Sequence, residues 1–355
     1  MILGDGRPIA CGRSNVAPGV RTHNHQVMKP DPLGPLLARD GVVILDGGLA
    51  TQLEAQGNDL SDRLWSARLL VEDPDQIVRA HLAYFRAGAR VATTASYQAT
   101  FEGFAARGID HAGATRLLRR SVALAAEARA QYRAECAGRE PPGDPGPLLV
   151  AASVGPYGAL LADGSEYRGR YGLSVAALRD FHRQRMAVLA ATEADLLACE
   201  TIPELEEGIA LVELLEEIEG ALGWLSFSCA DGAHLRSGAP VEEAFELADR
   251  SPRVVAVGVN CSAPEHIEEL VTRAAAVTAK PIVVYPNSGE RWDAAARAWT
   301  GGPGPGVDPP AARRWIAAGA RLVGGCCRVT PEQIAALASV LPGRVRRPVA
   351  IGPGR

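Results

Sequence analysis

Eight short runs rich in Val, Ile, Leu and Ala recur along the chain, and longer amphipathic stretches separate them. The runs cover 42–48, 89–97, 148–155, 194–201, 224–231, 254–261, 281–288 and 320–327. Near-continuous apolar runs of this length read as strands buried on both faces, the habit of parallel sheets covered by helices. The intervening stretches predict helices over 74–87, 110–135, 174–191, 203–219, 240–249, 264–277, 309–317 and 331–340. Six of these eight open at or near a proline, whose fixed φ suits a first helical turn. Asp73, Ser262 and Thr330 stand where caps are expected. The Pro/Gly-rich stretches 139–147 and 301–310 read as surface loops.

Eight strand-then-helix units with no break in composition predict a closed (β/α)8 TIM-type barrel, a fold of about 250 residues. An open doubly wound sheet often carries a glycine-rich phosphate turn after its first strand. Here that strand ends in Asp46-Gly47-Gly48-Leu49-Ala50-Thr51, and no G-x-G-x-x-G junction or P-loop follows elsewhere. Residues 1–35 lack apolar periodicity and read as a flexible extension, 36–341 as the barrel, and 342–355 as a second tail. His23 and His25 belong to the first tail, where no fixed geometry would hold a metal.

Composition narrows the function classes. Hydrophobic residues make up 47% and charged residues 22%, enough for a buried core and against general disorder. A net charge of −4 provides no broad basic face, so nucleic acid is not an expected partner. No run reaches the roughly 18 to 20 apolar residues of a spanning helix, and the first residues lack the order of a secretory signal. A soluble, cytoplasmic chain without membrane contact is expected. Seven cysteines are too sparse, and odd in number, for a disulfide scaffold.

Active sites of such barrels form at the C-terminal ends of the strands. The predicted ends here carry Asp46, Tyr97, Ser153, Glu200, Cys229, Asn260-Cys261, Asn287 and Cys326-Cys327. Adjacent residues on a strand point to opposite faces. Gly324-Gly325 can release the backbone from strand geometry, so that both following sulfurs aim at one point. Cys261 can meet them across the seventh strand. Three thiolates form a soft set that zinc favours, and a three-ligand site with an open position is the catalytic pattern. Spacing alone leaves two other readings open: thiols packed in the core, or a redox-active disulfide at Cys326-Cys327. Cys199 and Cys229 read as small core hydrophobes. Trp65, Trp292 and Trp299 fall near loops, with core packing the plainer reading.

Asp46-Gly47-Gly48, Val259-Asn260-Cys261 and Gly324-Gly325-Cys326-Cys327-Arg328 together resemble the homocysteine S-methyltransferase family. Stretches over 60–74, 94–100, 103–108, 153–169, 181–185, 195–203 and 284–290 resemble its bacterial branch using S-methylmethionine. The likeness covers about residues 38–340 and says nothing about the first 35. It implies a barrel with a catalytic Zn2+ held by Cys261, Cys326 and Cys327.

The implied partners are homocysteine and a sulfonium methyl donor. The resemblance makes Asp46 and Glu200 acceptors for a substrate ammonium. Asn287 becomes a zinc ligand in the absence of substrate, or a donor contact. Tyr97 would offer its ring to the sulfonium, Asn260 would orient the neighbouring ligand as part of the substrate site, and Arg328 would pair with a carboxylate. S-adenosylmethionine or betaine as donor, and selenocysteine as acceptor, remain alternatives within the family. A barrel with structural zinc, or a redox switch without methyl transfer, remains the alternative of another class.

Overall fold

The computed structural model describes residues 29–60, 65–293, 298–300 and 307–340. The tail with His23 and His25, the segment 342–355, and the side chains of Trp65, Trp292 and Trp299 lie outside the described residues. The strands are β1 Val43–Ile44, β2 Val91–Thr93, β3 Leu149–Val154, β4 Leu196–Ile202 and β5 Gly223–Phe227. They continue with β6 Val254–Asn260, β7 Ile282–Tyr285, β8 Arg291–Asp293, β9 Ala298–Thr300 and β10 Ala320–Val323. Eight of them form one parallel sheet in the order β1-β10-β7-β6-β5-β4-β3-β2, while β8 and β9 make a separate hairpin. A parallel bridge between Leu45 and Val91 brings the two ends of the sheet together. The result is the (β/α)8 barrel expected from the apolar rhythm, with helices between the strands.

The eight long helices lie where the amphipathic stretches put them, from Pro74–Ala87 to Pro331–Val340. Their caps differ from expectation. Asp73 makes no capping hydrogen bond, and Ser262 donates to Asn260 O and accepts from Cys229 N instead. Asp110, Ser174 and Asp308 do the capping, each accepting from a backbone N–H three residues on. Such a bond satisfies one of the four donors a helix start leaves unpaired.

Inside the barrel, Val43, Leu45, Val91, Leu149, Ala151, Leu196, Ala198, Trp224, Ala256, Val283, Tyr285 and Leu322 pack as one cluster. Leu33 and Leu36, both fully buried, join it from a helix at Leu33–Asp40. That helix begins inside the segment read as a flexible extension. With only two buried apolar positions in eight residues, its periodicity is too short to register in sequence. Trp224 is large where its neighbours are small, and its Nε1–H donates to the Tyr285 hydroxyl at 3.0 Å. The Tyr285 hydroxyl in turn lies near enough to Glu200 to favour its ionised form, so polar groups lead from the core to the C-terminal rim. Among the described residues no helix is long and apolar enough to cross a membrane.

Candidate metal centre

Cys261, Cys326 and Cys327 place their sulfurs within 4.8 Å of one another, the one such group of potential metal ligands among the described residues. The Cys261 sulfur lies 2.8 Å from that of Cys326 and 3.9 Å from that of Cys327; Cys326 and Cys327 are 3.9 Å apart. Two sulfurs each about 2.3 Å from a tetrahedral zinc sit about 3.8 Å apart. Two of the three spacings therefore already suit such an ion, and the third needs to open by about 1 Å. All three sulfurs are soft donors and the cluster is at the rim, so the set fits a thiophilic metal.

The chain brings adjacent cysteines to one point by a backbone seam. Strand β10 stops at Val323, and Gly324 N then donates to Val284 O while Gly325 N donates to Asp46 O. Cys326 N donates to Pro286 O, and Cys327 O accepts from Ser288 N. The backbone leaves strand geometry at these two glycines as expected, and both are required by close approach. A Cβ on Gly324 would lie 2.6 Å from Leu45 Cβ, and one on Gly325 would lie 2.2 Å from a Val329 methyl. The Asp46-Gly47-Gly48 segment is the other half of this fit. A Cβ on Gly47 would meet Val329 O at 2.6 Å, and one on Gly48 would meet Cys326 O at 2.6 Å. Thr51 Oγ1 accepts from Arg328 N, and the Tyr84 hydroxyl lies within 2.9 Å of both Gly48 O and Val329 O.

Cys261 reaches the site from the end of β6 through a left-handed residue, φ 47°. Thr201, near the end of β4, is left-handed too, at φ 61°. The β4–β5 register slips between Cys199 and Ile202, so one extra residue is inserted there. Such a bulge re-aims side chains at a barrel rim. Glu200 stays turned inward, Ile202 returns to the outer core, and Thr201 is left near the thiols, where it favours the Cys261 thiolate. Asn260 holds this bulge: its Oδ1 accepts from Thr201 N at 2.7 Å and its Nδ2 donates to Thr201 Oγ1 at 2.8 Å. The Asn260 amide is thus spent on the protein. This agrees with the orienting role read from the sequence, exerted here through Thr201, which lies near the Cys261 sulfur.

Three carboxyls surround the cluster. Asp46 accepts from Thr93 N at 2.6 Å and Thr93 Oγ1 at 3.0 Å, just beyond the single Leu45–Val91 bridge that joins the β1 and β2 sides of the barrel. Burial pushes its carboxyl up to about 7 against those two bonds. Glu200 takes a hydrogen bond from Ser153 Oγ, and burial pushes it up to about 8. Glu166 is pushed up to about 7, mainly by burial and further by the Cys261 sulfur. Within the cluster Cys261 ionises first, because Cys326, Cys327, Thr201 and Tyr167 all donate to its sulfur.

Other predicted residues fall as follows. Asn287 is buried, and its Oδ1 has no hydrogen-bond partner, which leaves an acceptor available beside the site. Tyr97 bonds Thr201, and its ring lies so close to Gly155 that a Cβ there would approach within 2.8 Å. Arg328 Nε pairs with Glu290 at 2.7 Å. Cys199 and Cys229 are buried in the outer core, and burial pushes both thiols up to about 12.

Sequence reasoning missed Glu166, Tyr167 and Arg236. The Tyr167 hydroxyl lies near the Cys261 and Cys327 sulfurs and favours their thiolates, and the Arg236 guanidinium lies over its ring at 5.5 Å. Glu166 and Tyr167 sit on a three-residue 3-10 turn beyond β3 rather than at a strand end, and a survey of strand ends passes over them.

Replacing Asn260 by Ala leaves Thr201 with unpaired buried groups, at a cost of about 1–3 kcal/mol. Metal retention against a chelator is expected to fall about 10- to 100-fold, as for lost outer-shell partners. Unchanged retention in the Asn260→Ala protein would show that the clamp does not position Cys261.

Residues 43–341 match the homocysteine S-methyltransferase family. The homocysteine S-methyltransferase of Escherichia coli (strain K12) is 50% identical over 308 residues, covering 86% of this chain and 97% of that protein. Homocysteine S-methyltransferase YbgG of Bacillus subtilis (strain 168) is 46% identical over 309 residues, covering 87% and 97%. The crystal structure of the metallated form of the Escherichia coli homocysteine methyltransferase MmuM superposes with a TM-score of 0.78 at 48% identity. It covers 87% of this chain and 99% of that one. Profile, whole-length identity and shared barrel agree: this chain belongs to the homocysteine S-methyltransferase family and is a methyltransferase acting on small-molecule substrates.

Proposed function

We propose that the chain transfers a methyl group from S-methylmethionine to homocysteine, with zinc held by Cys261, Cys326 and Cys327. The observation that carries this reading is the convergence of three sulfurs beside two buried carboxyls on one barrel rim. The thiol of homocysteine loses its proton and its sulfur attacks the donor methyl carbon; the carbon–sulfonium bond breaks, and its electron pair returns to the donor sulfur. Both molecules leave as methionine, and one proton is released. Zinc bound at the cysteines supplies the Lewis acidity that favours a thiolate at neutral pH. Three cysteinates around a divalent ion leave one formal negative charge, which keeps a nearby sulfur electron-rich.

The remaining work belongs to the chain's own groups and is mostly positioning. Asp46 and Glu200 receive the acceptor's ammonium, Thr201 and Tyr167 hold the ligand sulfurs in place, and the Tyr97 ring faces the cationic methyl donor. The unpartnered Asn287 Oδ1 supplies an acceptor for a metal before substrate arrives, or for the donor. The six described cysteines are all unpaired, which suits a reducing cytoplasm.

Replacing any one of Cys261, Cys326 or Cys327 by Ser is expected to abolish metal retention and methyl transfer together. A Ser variant that stays metal-free in elemental analysis yet turns over at the wild-type rate would overturn the mechanism.

The carboxyls supply a pH dependence. Asp46 at about 7 and Glu200 at about 8 are partly protonated in the empty site near neutrality. An ammonium binds their ionised forms, so binding releases protons and affinity grows as pH rises from 6 to 8. The product methionine has no thiol to lose a proton and isolates this effect. Calorimetry of methionine binding in two buffers of different ionisation heat should show net proton release near pH 7. Net uptake, or no linkage, would take the ammonium away from this carboxyl pair.

A further inference from the structure

Both substrates of the proposed reaction carry an α-ammonium, yet Asp46 and Glu200 form one buried pair, facing each other closely enough for their charges to interact. A second cationic head group needs a second acceptor. Glu166 meets that need, although it comes from the excursion after β3 rather than from a strand end. Its Oε2 is buried and has no hydrogen-bond partner, and its other contact is with its own backbone N–H. The carboxyl lies within electrostatic reach of the Cys261 sulfur, Tyr97 and Tyr167, which places it beside the reacting centre.

The turn that presents Glu166 is held firmly. Ser165 N donates to Asp163 Oδ1 at 2.9 Å. Arg168 makes its hydrogen bonds to Asp163 at 3.3 Å and Ser165 Oγ at 2.8 Å, and its charge acts on Glu166 only from beyond hydrogen-bond distance. Gly158 packs beneath, where a Cβ would come within 2.4 Å of Glu166 N. Leaving a carboxylate oxygen desolvated and unpaired costs free energy unless a cation fills the place. An ordinary salt bridge could have filled it, and none to Glu166 forms among the described residues.

We infer that Glu166 is the specificity residue of the methyl-donor subsite, accepting the α-ammonium of an amino-acid sulfonium while Asp46 and Glu200 take that of homocysteine. The assignment rests on the reaction proposed above. It makes Glu166 a filter for donors that pair a sulfonium with an ammonium, and it separates recognition of donor and acceptor onto different loops.

Metal-loaded wild type, Glu166→Gln and Glu166→Asp proteins are compared by steady-state kinetics with two donors, S-methylmethionine and dimethylsulfoniopropionate. The second keeps the sulfonium and a carboxylate but lacks the ammonium. Glu166→Gln is expected to raise KM for S-methylmethionine about 10- to 100-fold, as for a lost charged hydrogen bond. KM for homocysteine should stay within about twofold. The low efficiency of the ammonium-free donor, including activity at the detection limit, should be the same in variant and wild type. Glu166→Asp, which keeps the charge, should recover part of the loss.

Equal losses with both donors would place Glu166 on the sulfonium charge and overturn the assignment. A matching rise in KM for homocysteine, or no change with S-methylmethionine, would also overturn it. If metal-loaded wild type transfers no methyl from S-methylmethionine at all, the proposed reaction fails, a result visible before any variant is compared.

Discussion

The backbone seam between Asp46-Gly47-Gly48 and the segment Gly324–Val329 is the contact on which the site depends. Adjacent residues of a regular strand cannot aim at one point, so Cys326 and Cys327 share a target only because β10 stops and the chain folds against β1. Gly325 N–H to Asp46 O, Gly48 N–H to Val329 O, and the Tyr84 hydroxyl near two carbonyls fasten that arrangement. Four glycines make room for it, each blocked by a neighbour within 2.7 Å of where a Cβ would stand. The same seam positions the Asp46 carboxyl, so the cysteine pair and this buried carboxyl are set by one piece of packing.

A second constraint meets it from across the rim. Cys261 and Thr201 both adopt left-handed backbone, which costs about 1–3 kcal/mol per residue when the side chain is not glycine. The Asn260 amide, buried and doubly bonded to Thr201, offsets that cost and converts a strand bulge into a fixed feature. Around these two anchors the barrel holds the buried Asp46 and Glu200 carboxyls, a setting that suits a positively charged small molecule. Coulombic attraction strengthens as water is removed, so such carboxyls discriminate by charge more sharply than exposed ones would.

Much of this was legible in the sequence because parallel barrels write themselves as apolar runs at regular intervals. Each of the eight barrel strands and eight long helices coincides with a predicted stretch to within two residues at any end that overruns it, and the three cysteines stand at strand ends where such folds assemble their chemistry. The Leu33–Asp40 helix escaped because two buried leucines make too little pattern. Glu166 and Tyr167 escaped because a three-residue turn has no periodicity, and its aim depends on Gly158, Asp163 and Arg168. Asn260 was read as a residue that orients the neighbouring cysteine, and its two bonds to Thr201 agree with that duty. Which backbone it would grip was not legible, because the bulge at Thr201 leaves no mark in the apolar pattern.

The ratio of methionine formed to homocysteine consumed, measured on zinc-loaded protein with excess S-methylmethionine, tests the central claim most directly. Donor and acceptor both become methionine in the proposed transfer, so the expected ratio is two. A ratio of one would contradict S-methylmethionine as the donor. No methionine at all, with zinc shown to be bound, would contradict the proposed reaction itself.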